Sequence, residues 1–297
     1  MSLLASAKTG IEKHSQIIVV YGPNGVGKST FASQFPKPLF ADLEKGSRHL
    51  KVTRLDEFKD LSVFKALVKE LIETNSNYET FVVDSIESLE FLVLESIKLK
   101  YKAESIEDIP YGKGYAESRE VMAGLMDQFR KLTNKGIGVV LVGHSQTKQQ
   151  TDATTKSVYD RAIMRCGDKM AAVIKDLSDA VLFATHKVVT TTNKQGKTEA
   201  FSDGTRVLFT QWRDNFDAKN RMGLPLEIPL SYEALNQAMS TGETLDAAEI
   251  LADIAEISSK LKDDVRVKVQ AQVEKFKTDP KKLAEIRSRA QKFAVNQ

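Results

Sequence analysis

Eight residues near the N-terminus, Gly22-Pro23-Asn24-Gly25-Val26-Gly27-Lys28-Ser29, constrain this chain more than any other part of it. They satisfy G-x-x-x-x-G-K-[ST] at every fixed position. The flanks supply the matching context: Ile17-Ile18-Val19-Val20-Tyr21 reads as a buried strand, and Thr30-Phe31-Ala32 as the opening of a helix. Glycines here let backbone N–H groups converge on phosphate oxygens, and the helix N-terminus adds positive potential. Lys28 would reach the β- and γ-phosphates and the Ser29 hydroxyl would hold Mg²⁺, with Gly22 through Thr30 forming the nucleotide contact. An ordinary glycine-rich turn needs neither the Lys-Ser pair nor this spacing. The segment implies ATP with Mg²⁺.

Short apolar runs alternate with helical patterns down to about Pro229, the signature of βαβ units and a parallel sheet. Strands are predicted at Pro38–Asp42, Val52–Leu55, Thr80–Asp84, Gly138–Val142 and Ala180–Ala184, and helices at Phe58–Ile72 and Glu87–Tyr101. Residues 193–197 read as a turn, with Arg206–Phe209 as the returning strand. From Tyr232 the strand pattern stops, and helices are expected at Tyr232–Met239, Thr244–Lys262, Asp264–Lys275 and Pro280–Phe293. The organisation is therefore a core over 1–231 and a helical region over 232–297. From Lys260 onward eleven Lys or Arg face five Asp or Glu, a basic tail suited to a nucleic acid or to solvent.

Over all 297 residues the net charge is only +3, too small by itself to imply a polyanionic partner. The single cysteine, Cys166, excludes an internal disulfide and suits a reducing cytoplasm. No apolar stretch reaches the roughly 20 residues of a membrane span, and the first residues lack a signal-peptide pattern. A cytoplasmic protein with no membrane partner is expected.

Several residues outside the loop have the chemistry of phosphoryl transfer. Asp84 ends an apolar strand, where a carboxylate beside a phosphate loop can hold the Mg²⁺ shell. Glu44 follows the second strand and could orient or deprotonate the attacking water, with Asp42 competing for that role. His144 ends the Val139–Val142 strand, where it could sense the γ-phosphate. Lys219 and Arg221 flank one residue, so on an extended segment both side chains point one way and could neutralise a transferring phosphoryl group.

The ordered set Gly22–Ser29, Asp42-Leu43-Glu44, Phe81-Val82-Val83-Asp84-Ser85, Val142-Gly143-His144 and Lys219-Asn220-Arg221 resembles the RecA-type ATPase core. The resemblance implies an α/β fold with a mostly parallel sheet and ATP between subunits of a homo-oligomer. It casts Glu44 as the catalytic acid, His144 as the sensor, and Lys219 and Arg221 as fingers acting on a neighbouring subunit's ATP. His144 departs from the glutamine of RecA, and the long N-terminal polymerisation helix of RecA is not matched. Tyr111-Gly112-Lys113-Gly114-Tyr115, Gly143-His144-Ser145 and the segment from Tyr159 to Asp179 resemble more closely the phage RecA-like single-strand annealing ATPases of the Sak groups. Single-stranded DNA, and a single-stranded-DNA-binding protein, are the partners this implies.

In that family DNA-binding loops follow the Asp84 helix and the His144 strand. The second loop here, Ser145 to Lys169, carries Lys148, Lys156, Arg161, Arg165 and Lys169 against Asp152, Asp160 and Asp168. Gln, Thr and Ser fill the stretch Gln146 to Ser157, which predicts a mobile segment that orders on a strand. The first places Lys113 between Tyr111 and Tyr115, where aromatics could stack on bases. The expected activity is DNA-stimulated ATP hydrolysis serving annealing or recombination. The alternatives are a ring-shaped helicase or translocase, and a nucleotide-gated loader of a replication protein.

Overall fold

The protein is described by a computed structural model covering residues 15–152, 155–192, 198–242, 247–259, 261–277, 279, 282–283, 285–287 and 289–290. The first part of the chain alternates strand and helix: β1 (Ile17–Gly22), α1 (Lys28–Ala32), β2 (Pro38–Asp42), β3 (Thr53–Leu55), α2 (Leu61–Glu73), β4 (Thr80–Asp84), α3 (Ile86–Tyr101) and α4 (Lys113–Asn134). Then come β5 (Gly138–Thr151), β6 (Val158–Met164), α5 (Asp168–Leu177), β7 (Ala180–His186), β8 (Val189–Thr192), β9 (Thr198–Phe201), β10 (Arg206–Phe209), β11 (Lys219–Asn220) and β12 (Glu227–Pro229). Then follow α6 (Tyr232–Gly242), α7 (Ala247–Ser259) and α8 (Asp263–Phe276), and the described residues among 282–290 are also helical.

The main sheet runs β12-β10-β7-β1-β5-β4-β2-β3. From β7 to β3 every pairing is parallel, while β10 and β12 extend the edge antiparallel. This is the α/β architecture of a RecA-like P-loop NTPase. Every residue of β1 is buried, as expected of a strand covered on both faces. Its neighbours β5 and β7 both come later in the chain, so the connection from β1 leaves toward β2 across two intervening strands. Such a switch point opens a crevice at the carboxyl ends of the strands, and the Gly22–Ser29 loop fills it.

Side-chain packing fixes the layers. Phe64 of α2, Phe81 of β4 and Phe129 of α4 form an aromatic triangle with centroids 6.1–6.3 Å apart. On α4 the buried residues Met122, Leu125, Met126, Phe129 and Leu132 recur at helical spacing against the sheet. Asp179 ties the lower edge together: it accepts the Ile17 N–H at 2.8 Å and pairs with Arg130 of α4 at 3.1 Å. Asp60 caps α2 by accepting from the Ser62 and Val63 N–H groups, which is why that helix begins at Leu61 and not at Phe58.

Three sequence expectations are corrected here. The stretch around Lys113 is no open loop but the first turn of the 22-residue helix α4. Gly114 suits the close approach there, since an added Cβ would lie 3.0 Å from the Ile106 carbonyl oxygen. Nor is the second candidate loop irregular among its described residues. The strand predicted to stop at Val142 continues to Thr151 and pairs antiparallel with β6, from Ser145 opposite Met164 to Thr151 opposite Val158. Its β-branched and long polar side chains suit an extended ladder even without an apolar face. Finally, the return strand after residues 193–197 is β9, paired with β8, whereas Arg206–Phe209 pairs with β7 and β12. The predicted turn 193–197 lies outside the described residues.

The chain divides into two compact units, Met1–Leu235 and Asn236–Gln297, so the division falls within α6. The second unit has its own small core of Ile254, Leu261, Val269, Leu283, Ile286 and Ala290. Four of its basic residues are already paired: Arg266 with Asp263, Lys277 with Glu274, Lys282 with Glu285 and Arg287 with Asp253. Pro280 and Phe293, the ends of the last predicted helix, lie outside the described residues. Among the described residues no helix is long and apolar enough to cross a membrane.

Candidate nucleotide site

The loop from β1 to α1 needs its glycines. Gly25 and Gly27 adopt φ of 76° and 101°, conformations that L side chains rarely take. A Cβ on Gly22 would lie 2.0 Å from the Ala184 carbonyl oxygen, so only glycine lets β1 and β7 pair this closely at the mouth of the loop. Lys28 is 5% exposed and folds back over the loop, donating to the Gly22 and Pro23 carbonyl oxygens at 3.0 and 2.9 Å. Burial pushes its ammonium pKa down, while Glu87, Asp84 and Glu44 pull it back up.

Asp84 stands at the end of β4, one strand removed from β1 across β5. Burial raises its carboxyl pKa, and a hydrogen bond from the Ser29 hydroxyl opposes that shift. A desolvated carboxylate beside a hydroxyl is a hard-oxygen donor pair of the kind Mg²⁺ takes. These two residues fit the ion, which would neutralise charge on the phosphates.

Asp42 and Glu44 separate clearly. The buried Asp42 carboxylate accepts from the Gly46 N–H (2.9 Å), the Ser47 N–H (3.0 Å) and the Ser47 hydroxyl (2.6 Å). It is a turn anchor holding three hydrogen bonds. That turn holds Glu44 out toward the crevice, where it accepts from the Ser85 hydroxyl. His144 is opposite Gly22 in the parallel register of β5 on β1. Its Nδ1 lies 3.9 Å from Glu44 Oε1 and 3.5 Å from Glu87 Oε1. The structure thus gathers Lys28, Ser29, Glu44, Asp84 and His144 into one crevice.

Two residues of this crevice carry no motif of their own. Glu87, in the first turn of α3, accepts the His144 N–H at 2.6 Å and forms an acid–acid–His cluster with Glu44 and His144. Its only sequence signal is an acid three positions after Asp84. Arg206 of β10 lays its guanidinium against the opposite flank of the loop, 3.4 Å from the Val26 carbonyl oxygen. Nothing local in the sequence brings it there; the antiparallel edge strand does.

Lys219 and Arg221 lie elsewhere. Lys219 and Asn220 pair with Val181 and Ala180, the first two residues of β7, so they sit at the end of the sheet away from the phosphate loop. Lys219 donates to the Lys175 and Asp176 carbonyls at 2.6 and 2.8 Å, capping the end of α5. Arg221 is exposed and touches the Asp176 carbonyl only at 3.3 Å.

The five cations expected to meet DNA do not share one face. Lys113 is exposed at the start of α4, beside Tyr111, which is 96% exposed. Lys148 is exposed on β5 and pairs with Asp168 at 2.8 Å, and Lys156 is exposed near the hairpin tip. Arg165 turns back toward His144 and Glu87. Arg161 is 5% exposed, paired with Asp217 at 2.6 Å and stacked on Trp212 at 4.8 Å. It is therefore a packing residue and not a free phosphate contact. Arg161→Ala should cost about 2–3 kcal/mol, below the usual buried-pair loss because Lys175 still holds Asp217 at 2.9 Å. Urea denaturation checks this, and an unchanged midpoint would show that the pair adds nothing to stability.

Residues 14–222 match the family model described as AAA domain. The chain belongs to that family. As an AAA-domain protein it is a P-loop ATPase, and its phosphate loop opens into the crevice just described. A curated relative is the SPbeta prophage-derived uncharacterized protein YorG of Bacillus subtilis (strain 168), 24% identical over 276 residues, covering 85% of this chain and 81% of YorG. Among solved structures, the flagellar accessory protein FlaH of Methanocaldococcus jannaschii aligns over 72% of this chain and 84% of its own, at 11% identity and a TM-score of 0.36.

Proposed function

We propose that this AAA-domain protein is a Mg²⁺-ATP-dependent oligomeric ATPase of the phage single-strand annealing type, a Sak-group recombinase, acting on single-stranded DNA. The observation that carries the reading is the path of β5. It leaves the ATP crevice at His144 and runs directly into a hairpin whose residues Gln146–Gln149 are polar and exposed. A change at the γ-phosphate can therefore reach a polar ribbon through one continuous strand. The similarity to a prophage-derived relative supports a phage or prophage setting and work in a bacterial cytoplasm. Glu44 acts as the water-orienting acid, Ser29 and Asp84 hold the ion, His144 reports the γ-phosphate, and Arg221 serves a neighbouring subunit.

Among the described hairpin cations, Lys148 and Lys156 are the DNA contacts in this reading. The variant K148A/K156A should bind single-stranded DNA more weakly, with little dependence on sequence. Each lost phosphate contact lowers the salt slope of binding by about 0.7. Basal ATPase should persist while stimulation by DNA falls. Fluorescence anisotropy across a salt series, run beside annealing of complementary strands, measures all of this. An unchanged slope and affinity would move the DNA site off the hairpin.

A further inference from the structure

We propose that Arg165 is a nucleotide-site residue that engages the γ-phosphate within its own subunit, held ready by Glu87 and not spent on DNA. The inference rests on the ATPase site and is independent of DNA binding.

Arg165 directly follows β6, where the hairpin rejoins the body of the domain. Its backbone N–H donates to the His144 carbonyl at 2.9 Å. Its guanidinium Nη2 lies 3.3 Å from His144 Nδ1, and its Nε lies 3.8 Å from Glu87 Oε1. The side chain is half-exposed, so it is anchored at its root and free to swing at its tip.

Glu87 is the link to the phosphate loop. One of its oxygens accepts from the His144 N–H, while the other, Oε2, is buried with no hydrogen-bond partner among the described residues. Of the carboxylates that act on Lys28, Glu87 acts most strongly, and Arg165 opposes it at the same ammonium. His144, against which Arg165 rests, is opposite Gly22 in the register of β5 on β1, so Arg165 stands beside the start of the phosphate loop.

Charge balance gives Arg165 its task. Glu44, Asp84 and Glu87 converge on the crevice, and Lys28 is the only cation the loop itself offers. A γ-phosphate arriving there meets three carboxylates. Mg²⁺ held by Ser29 and Asp84 would offset part of that repulsion. Arg165 stands on the His144 side, and a guanidinium matches phosphate oxygens in a forked geometry. Transfer of Arg165 from Glu87 to the phosphate would release the Glu87 contact at the hairpin root, so the hairpin would read the presence of the γ-phosphate directly. Glu87 is here a positioning residue.

Calorimetric titration of the full chain with Mg²⁺-ADP and with a non-hydrolysable Mg²⁺-ATP analogue tests this. R165A should lose about ten-fold or more in analogue affinity and leave ADP affinity unchanged. R165K should recover part of the loss. E87Q keeps an oxygen to accept from the His144 N–H and removes the charge that competes for Arg165, so it should shift the analogue-to-ADP ratio in the opposite direction. Equal weakening of both nucleotides by R165A, or no weakening of either, would overturn the assignment. So would a loss of nucleotide-free DNA affinity at an unchanged nucleotide ratio, which would return Arg165 to the DNA surface. A wild-type chain that bound neither nucleotide would overturn the phosphate site itself, and the role of Arg165 with it.

Discussion

Lys28→Ala is expected to abolish measurable ATP hydrolysis, a loss of at least the roughly 10²–10³-fold seen when one preorganised donor is removed. The size of the effect follows from how much charge this one side chain balances. Lys28 is buried, and its ammonium is held by two loop carbonyls that a phosphate would replace as partners. Burial disfavours its charged form, and the carboxylates of Glu87, Asp84 and Glu44 restore it. With alanine in its place those three acids would face the phosphates with no loop cation between them. Glu44→Gln should behave differently, keeping ATP bound while slowing turnover by about 10²–10⁴-fold. Equilibrium nucleotide binding and single-turnover phosphate release separate the two variants. Normal turnover in Glu44→Gln would pass the role to Glu87, because Asp42 is buried and already accepts three hydrogen bonds from Gly46 and Ser47.

The contrast between Asp42 and Glu44 shows where a sequence stops being legible. Asp42 ends β2 and Glu44 lies two residues on, and spacing alone cannot say which one faces water. Three hydrogen bonds in a turn decide it. What could be read directly were local events: an apolar run, a glycine loop with its Lys-Ser pair, and acids or a histidine at strand ends. These gave the parallel core, and they named Lys28, Ser29, Glu44, Asp84 and His144, which the fold brings together. Helix α4 was missed because Gly112 and Gly114 at its start read as a loop, although one caps the helix with φ of 66° and the other packs on Ile106. The β5–β6 hairpin was missed for a different reason. Alternation needs an apolar face, and Gln146–Gln149 are exposed on both sides. Glu87, Arg206 and the true setting of Arg161 depend on partners 57, 180 and 56 residues away, which no window along the chain contains.

Mixing two inactive proteins should restore ATPase activity if Arg221 serves a neighbouring subunit. Its position makes action on its own ATP implausible on geometry alone. The Arg221 N–H donates to the Asp179 carbonyl, immediately before β7, whereas the phosphate loop opens at the other end of the sheet beside Ala184. A head-to-tail assembly would bring that far edge onto the next subunit's crevice. The two cations also divide the work. Lys219 caps α5 through two short bonds and is partly desolvated, which lowers its pKa. Arg221, exposed and held among the described residues by one 3.3 Å contact to the Asp176 carbonyl, can turn its guanidinium toward a phosphate. Arg221→Ala and Lys28→Ala proteins should therefore each be inactive alone. In a 1:1 mixture, an Arg221→Ala subunit supplies an intact phosphate loop and a Lys28→Ala neighbour supplies the arginine. Random head-to-tail assembly makes about one interface in four complete, so recovery should approach about a quarter of the wild-type rate. Subunit exchange is verified by energy transfer between labelled chains in the same mixture. No recovery despite proven exchange would remove Arg221 from the shared site. An Arg221→Ala protein that is active by itself would show that hydrolysis needs no finger from this strand.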